Sequence, residues 1–253
     1  MMFYKDTGSG LPIVLLHGYC GSHKYWDEVV PQLARNYRVI TMDLPGHGQS
    51  APSNMGYSME QLAEQIIQLL DQLGLQQVYL FGHSLGGYIS LALVERYADR
   101  LLGLGLIHST SYPDSDAAKE NRLKAVASIE KEGIVPFVNG LIPKLFASDN
   151  HQAVRESMEK AIEIGYGTSV DGAIGCALGM RERRDRKDVL ERIQMPTLLL
   201  AGALDEVIAE DRRFPVSGPT VTAVTLENVG HMGMMESPDA FVNGIVNYLG
   251  ESR

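Results

Sequence analysis

The feature that most constrains the fold is an alternation of short apolar runs with segments of helical period. The runs are bounded by glycine or proline, which is typical of strands joined by helices. Most of them are apolar on both faces, as strands are when helices cover both sides of a parallel sheet. The sequence therefore predicts an α/β fold with a mostly parallel central sheet flanked by helices. The predicted strands are 13–17, 38–42, 78–81, 101–107, 197–201 and 221–226.

The alternation is interrupted at residues 112–192, where the pattern is helical and contains no convincing strand. A long segment of this kind between two strands is typical of an insertion. We predict one core domain formed by residues 1–111 and 193–253, with residues 112–192 inserted as a helical cap. The predicted helices of the insertion are 116–131, 134–146, 151–164 and 169–185.

Charge and composition narrow the class of partner. The chain has 253 residues and a net charge of −9, which repels phosphate backbones and anionic lipid surfaces, so we expect no nucleic-acid or membrane partner. The two cysteines, Cys20 and Cys176, have no metal-ligand or disulfide spacing, and no apolar run is long enough for a signal or a membrane span. We therefore predict a cytoplasmic protein that acts on a small molecule, and the sequence leaves the oligomeric state open.

The strand predicted at 78–81 runs directly into Gly82-His83-Ser84-Leu85-Gly86, and a helical pattern follows. Glycines on both sides let the backbone pass closely around a sharply turned serine, whose hydroxyl is then raised above the sheet edge. This context predicts a nucleophile elbow with Ser84 as the nucleophile. The alternative is a glycine-rich turn whose serine only caps the helix.

A serine nucleophile requires a histidine base oriented by a carboxylate. Asp205 and His231 both follow predicted strands and lie downstream of Ser84 in the order that this fold class uses. We predict that Asp205 holds the His231 ring through Nδ1 and leaves Nε2 toward Ser84, with Glu206 as the backup acid. Taken alone, Asp205 could be a loop or cap residue and His231 a turn histidine.

The same chemistry requires backbone donors for the oxyanion. Leu85, which follows the nucleophile and begins a helix, is one predicted donor, and Tyr19 in the loop after the first central strand is the other. Cys20 beside it is the competing nucleophile, but no base is identified for it.

The predicted cap should supply the substrate pocket, which we expect to be hydrophobic. Apolar residues at helical spacing are more often packing than pocket. The candidate pocket residues are Phe137, Leu141, Phe146 and Met180 from the insertion and Met232 from the core.

Five segments in register resemble the α/β-hydrolase superfamily over nearly the whole chain. They are 16–19, 43–50, 82–87, 201–205 and 230–231. The resemblance implies a mostly parallel sheet of about eight strands, the triad Ser84, Asp205 and His231, and a structural role for the loop at 43–50.

Two departures narrow the choice within that superfamily. Haloalkane dehalogenases and epoxide hydrolases place an aspartate where this chain has Ser84, so the serine favours acyl chemistry. A menaquinone-pathway lyase of similar size has an arginine where this chain has Tyr88.

The leading hypothesis is hydrolysis of an ester, thioester or lactone through an acyl-enzyme on Ser84, which requires neither a cofactor nor a metal. Two alternatives stay open. One is carbon–carbon bond hydrolysis, or a lyase or perhydrolase reaction, on the same triad. The other is a small-molecule sensor that signals through the cap, since a fold alone does not fix an activity.

Overall fold

In a computed structural model, residues 2–150 and 152–251 are described, and they contain one seven-stranded sheet. Its strand order is β1-β3-β2-β4-β5-β6-β7, with β1 antiparallel to β3 and every other pair parallel. The strands are β1 Tyr4–Gly8, β2 Leu11–Leu16, β3 Tyr37–Met42, β4 Val78–His83, β5 Leu101–Ile107, β6 Thr197–Gly202 and β7 Val221–Leu226. The predicted α/β class is confirmed.

The sequence pattern did not predict β1. The resemblance implied about eight strands, which was an approximate number. β1 is mostly exposed at the edge of the sheet, so it lacks the apolar run that marks the buried strands. It forms an antiparallel ladder with β3, in which Tyr4 lies opposite Met42 and Gly8 opposite Arg38. With β1 included, the described chain has seven strands rather than about eight.

The centre of the sheet positions the candidate site. β2 pairs with β3 on one side and with β4 on the other, so the chain changes its direction of winding between β2 and β4. Ligands of open α/β sheets bind at such switch points, outside the carboxyl ends of the strands. The loop that follows β2 and the turn that follows β4 both lie at this point.

Ten α-helices accompany the sheet in the described chain. Five of them flank the sheet, namely α1, α2, α3, α8 and α10. Helices α2 and α8 each contact α3, and α1 contacts α10. The helices are α1 Val30–Leu33, α2 Met59–Gln72, α3 Leu85–Tyr97, α4 Asp116–Glu132, α5 Ile134–Leu141, α6 Arg155–Tyr166, α7 Val170–Arg181, α8 Lys187–Arg192, α9 Gly233–Glu236 and α10 Pro238–Glu251.

The boundaries of α2 follow from its sequence. Ser58 accepts a hydrogen bond from the Gln61 backbone N–H, and the Gln61 side chain accepts one from the Ser58 N–H, which completes a capping box. Seven of its apolar residues are buried at helical spacing, and Gly74 at φ +68° ends the helix in the left-handed region.

Residues 112–192 contain helices α4 to α8 and no strand among their described residues. Helices occupy each of the four predicted places, with shifted ends, and α8 was not predicted. α5 stops at Leu141, and the 3-10 turn Ile142–Leu145, which contains Pro143, covers the rest of its predicted range. His151, the first residue of the third predicted helix, lies outside the described residues.

Polar contacts attach this helical segment to the rest of the chain. Ser169, the N-cap of α7, donates through both its backbone N–H and its hydroxyl to the carbonyl of Gly46. Arg186, which is 2% exposed, pairs with Glu60 of α2 and with Glu95 of α3. A charge buried to this degree is stable only when it is paired, so these glutamates fix the chain at the start of α8.

No helix within the described residues combines the length and the apolar character that a bilayer crossing would require.

The arginine that anchors the start of α8 gives a stability prediction. Arg186→Gln should lower the free energy of unfolding by about 2 kcal/mol, because it removes the buried cation that pairs with Glu60 and Glu95 and leaves only the exposed Arg184 beside them. The measurement is urea-induced unfolding followed by circular dichroism. The matched control is Arg192→Gln on the same helix, whose pair with Asp188 is exposed and should contribute less than about 1 kcal/mol. Equal losses in the two variants would contradict the anchoring role.

Candidate active site

The turn between β4 and α3 holds Ser84 in an unusual backbone conformation. Its φ is +50° and its ψ is −112°, a left-handed value that non-glycine residues rarely adopt. A Cβ at Gly82 would lie 2.3 Å from the Gly86 carbonyl oxygen, and one at Gly86 would lie 2.6 Å from the Leu16 carbonyl oxygen. Only glycine fits at these two positions, and the turn presents a half-buried Ser84 side chain at the end of β4.

Asp205 and His231 are brought together although 26 positions separate them in the chain. The Nδ1 of His231 lies 2.8 Å from Oδ2 of Asp205, and both residues are 2% exposed. The other carboxylate oxygen accepts the backbone N–H groups of Val207 and Ile208 at 2.8 and 3.0 Å. An ionised carboxylate only accepts, so the His231 Nδ1 is the donor and its Nε2 is left free to accept a proton.

The loop that carries His231 lies against the end of β4, directly before Ser84. His83, the residue before the serine, donates from Nε2 to the His231 carbonyl oxygen at 2.9 Å. The two imidazole rings are 5.0 Å apart between centroids. The His231 backbone N–H donates to the carbonyl of Leu145 at 2.8 Å, so the helical segment also fixes this loop.

The surroundings of Asp205 keep its carboxylate ionised. Burial alone would raise the pKa of Asp205, but the neighbouring His231 and His108 outweigh burial and hold it well below the usual range. Nδ1 of His108 lies 3.5 Å from Asp205 Oδ2 and 3.2 Å from the Gly202 backbone nitrogen. The Asp205 carboxylate is therefore charged throughout the ordinary pH range.

The two predicted oxyanion donors belong to the two backbone segments that meet at the serine. Leu85 is the first residue of α3, and Tyr19 lies in the loop after β2. Within residues 2–150 and 152–251, neither backbone N–H has a protein hydrogen-bond partner. A Cβ at Gly18 would lie 3.3 Å from the Ser84 Cβ, so the loop backbone passes directly beside the serine. Both N–H groups are available for a ligand atom near Ser84.

Cys20 does not compete with Ser84 as the nucleophile. It is fully buried, and burial raises the pKa of its thiol to about 12. The thiolate is the reactive form of cysteine, so this side chain is unreactive at neutral pH.

The polar centre of the site is a group of buried histidines. Each of the six described histidines is at most 3% exposed; they are His17, His23, His47, His83, His108 and His231. Burial lowers the pKa of His17 to about 4 and that of His47 to about 3, and it also lowers the pKa values of His83 and His108. These four imidazoles are neutral at neutral pH.

Asp43 shows how the loop at 43–50 is fixed. Its carboxylate accepts the backbone N–H and the Nδ1 of His23, both at 2.7 Å, and the Gln49 N–H at 2.8 Å. A Cβ at Gly48 would lie 2.3 Å from this carboxylate. The Asp43 carboxylate is therefore bonded to His23 and Gln49 and not to His231.

One group among the described residues has ligand atoms spaced for a metal ion, namely His108, Asp205 and His231, with these atoms all within 4.8 Å of one another. Their polar atoms are already joined by the hydrogen bonds described above. A metal ion bound there would replace the hydrogen bond between Asp205 and His231. These residues therefore cannot hold a metal ion and keep this pair joined at the same time.

The structure separates the predicted pocket residues into two sets. Phe137 and Leu141 line a cavity of about 670 Å³ beside Tyr19. Phe146, Met180 and Met232 lie outside the wall of that cavity and are at most 3% exposed within the core. Their expected contact with a substrate stays a prediction.

The comparisons with known proteins agree with this fold. A family model described as "alpha/beta hydrolase fold" matches residues 12–130. A pimeloyl-[acyl-carrier protein] methyl ester esterase from Aeromonas salmonicida is 30% identical, over 95% of this chain and 96% of its own length. The chain belongs to the α/β-hydrolase family.

Two further relatives extend this comparison. A thermophilic esterase from Thermogutta terrifontis, solved with malate bound, superposes with a TM-score of 0.93 at 32% identity, covering 99% of this chain and 93% of its own. The dihydrolipoyllysine-residue acetyltransferase component of an acetoin-cleaving system from Pseudomonas putida is 32% identical over 91% of this chain. This α/β hydrolase spans only 61% of that component's length.

This α/β hydrolase has Tyr88 where the menaquinone-pathway lyase has an arginine. An arginine from elsewhere in the chain nevertheless contacts Tyr88. The guanidinium of Arg183 stacks on the Tyr88 ring, 3.9 Å from its centroid, and is held by Asp114 at 2.5 Å. Arg183 was not predicted, because it belongs to a charged stretch after α7 whose sequence is typical of a solvent-exposed surface. Its burial depends on the packing of α7 against the core.

The buried histidines predict that stability falls in mild acid. The unfolded chain binds protons on these imidazoles below about pH 6.5, whereas the folded chain binds them only at lower pH. Stability is therefore greatest above pH 6.5 and is lost as the pH falls toward the folded pKa of His17, about 4. Each of the four contributes at most about 1.4 kcal/mol per pH unit.

Urea unfolding at a series of pH values between neutral and mildly acidic tests this expectation. His47→Gln should reduce the dependence of the free energy of unfolding on pH, because it removes one of the four groups. A free energy of unfolding that stays constant across the series would contradict the account.

Proposed function

We propose that this α/β hydrolase is a serine hydrolase that cleaves an ester, thioester or lactone of a small molecule through an acyl-enzyme on Ser84. The observation that carries the proposal is the buried Asp205–His231 pair, joined at 2.8 Å. Its loop is hydrogen-bonded to the residue next to a strained, half-buried serine. We take His231 as the base, Asp205 as the carboxylate that orients it and Ser84 as the nucleophile.

The first half of the proposed reaction forms the acyl-enzyme. His231 Nε2 takes the proton from Ser84 Oγ, and the oxygen attacks the carbonyl carbon of the substrate. The negative charge that develops on the carbonyl oxygen is stabilised by the backbone N–H groups of Leu85 and Tyr19. Asp205 stays ionised and stabilises the positive charge on the imidazole.

The second half releases the acid. The imidazolium gives its proton to the leaving oxygen or sulfur, and the carbon–oxygen or carbon–sulfur bond of the substrate breaks. His231 then takes a proton from water, whose oxygen attacks the acyl-enzyme, and the proton returns to Ser84 as the acid leaves. No cofactor enters these steps.

Helix α3 supports the oxyanion step. It begins at Leu85, so the positive end of its dipole and its first unpaired N–H groups lie beside the position of the developing charge. Preorganised donors of this kind supply a large part of the rate enhancement in acyl transfer.

The relatives favour ester chemistry over the other reactions that the same three residues could perform. The Aeromonas salmonicida relative is named as a methyl ester esterase and the Thermogutta terrifontis protein as an esterase. We therefore place ester hydrolysis ahead of carbon–carbon bond hydrolysis, a lyase or perhydrolase reaction, and a sensor without turnover. The helical segment 112–192 is proposed to roof the site as a cap, and the cytoplasmic location stays a prediction.

Replacement of the serine tests the proposed function. Ser84→Ala should reduce kcat for p-nitrophenyl butyrate by about a million-fold, because the nucleophile is lost. Asp205→Asn should keep the fold and reduce kcat by about ten-thousand-fold, because the His231 tautomer is no longer fixed. Both are measured by release of p-nitrophenolate.

The control is Ser217→Ala, which changes an exposed serine and should leave kcat unchanged. If Ser84→Ala retains the turnover of the unmodified protein across acetate, butyrate and longer acyl esters, the proposed function is wrong.

A further inference from the structure

The cavity beside Tyr19 lies between two helices of the segment 112–192, and several of the side chains that line it are small. One face of α4 supplies residues spaced by three or four positions, and α5 with the turn after it supplies the opposite wall. Small residues leave the space that larger ones would fill, which gives the cavity its volume of about 670 Å³. Its wall consists of Tyr19, Ala118, Asn121, Arg122, Lys124, Ala125, Ser128, Pro136, Phe137, Gly140, Leu141 and Lys144.

The charges on this wall all have the same sign. Arg122, Lys124 and Lys144 line the cavity, and no aspartate or glutamate does. The described residues offer no ion-pair partner to either lysine. This positive wall stands out because the whole chain carries a net charge of −9. A concave surface lined by one sign of charge concentrates ligands of the opposite sign.

Arg122 is held in place by a neighbour outside the cavity. Its Nε donates to Asp114 Oδ2 at 3.0 Å, and the other oxygen of Asp114 is bound by Arg183. Asp114 offsets part of this charge, but its contact leaves the terminal nitrogens of the Arg122 guanidinium without a protein partner among the described residues. A fixed guanidinium with free terminal nitrogens is suited to bind an oxyanion.

Tyr19 belongs both to the cavity wall and to the loop after β2. The Tyr19 ring packs against Phe137 at 5.9 Å between centroids, and its hydroxyl donates to the Ala173 carbonyl at 2.8 Å. The backbone of the same loop passes beside Ser84. A substrate whose carbonyl lies at Ser84 can therefore extend an arm past Tyr19 into the cavity.

We propose that this cavity binds one arm of the substrate, and that the arm ends in an oxyanion, a carboxylate or a phosphate. The apolar surface of Tyr19, Phe137 and Leu141 contacts the carbon chain, and Arg122, Lys124 and Lys144 bind the charged end. The inference rests on the proposed function, since it names the class of ester that the site accepts. It also changes the expectation of a purely hydrophobic pocket.

Matched pairs of esters test the proposal on either side of the scissile bond. On the acyl side, monomethyl adipate is compared with methyl hexanoate, and on the alcohol side, the acetate ester of ω-hydroxyhexanoate is compared with hexyl acetate. The charged member of at least one pair should have a kcat/KM at least about tenfold higher, and this preference should shrink as salt is added. An ω-phosphate analogue of the acetate ester distinguishes a phosphate site from a carboxylate site.

The double variant Lys124→Ala with Lys144→Ala should raise KM for the preferred charged ester about tenfold, and this rise should be much larger than any change in KM for its neutral partner. The matched control is Lys131→Ala, which lies on the same helix but outside the cavity wall and is 80% exposed. If no pair shows a preference for charge, or if both variants change the two esters equally, the proposal is overturned while ester hydrolysis by Ser84 stands.

Binding separates failure of the cavity from failure of the proposed function. If the unmodified protein hydrolyses no ester, the same matched esters are titrated into Ser84→Ala by calorimetry. Tighter binding of a charged ester that is lost in the triple variant with both lysines replaced supports the cavity without turnover. Equal binding of charged and neutral esters overturns it.

Discussion

The conformation of Ser84 is the constraint on which the site depends. A left-handed φ on a residue with a side chain costs on the order of 1–3 kcal/mol, so the surrounding structure must maintain it. Here the Ser84 N–H donates to the Ile107 carbonyl at 3.0 Å, and the glycines at 82 and 86 allow backbone to pass on both sides. Because β4 is a buried central strand at the switch point of the sheet, the loops after its neighbours converge on this turn. The position of the serine therefore determines where its partners must lie.

The polar centre beside that serine is unusual for the interior of a protein. A neutral imidazole can be buried at little electrostatic cost. Burial itself keeps four of them neutral by lowering their pKa values, namely those of His17, His47, His83 and His108. Asp205 is the charged exception, and it is held by His231 and by two backbone N–H groups. The fold thus keeps one oriented charge where acyl transfer would create a positive imidazolium. Acid sensitivity of the folded state is the physical cost of this arrangement.

The sequence predicted the elements in which every residue is buried, because such elements are continuously apolar. Buried parallel strands are apolar on both faces, so six of the seven were found, whereas β1 is exposed at the edge and has no such signal. The contact between His108 and Asp205 could have been inferred, because each residue follows one of two neighbouring strands. The positive cavity could not, since Arg122 and Lys144 come from separate elements whose relative placement depends on packing. For the same reason Phe146 and Met180 could not be distinguished from Phe137 by their residue types.

The central claim is that Ser84 is an activated nucleophile. A fluorophosphonate reagent tests it most directly, because the reagent reacts with a serine whose proton is removed by a neighbouring base and does not require the natural substrate. Mass spectrometry of the intact protein and of its peptides should show a single adduct on the peptide that contains Ser84, absent in Ser84→Ala and formed more slowly in Asp205→Asn. An unlabelled protein, or an adduct on another residue that persists in Ser84→Ala, would contradict the account.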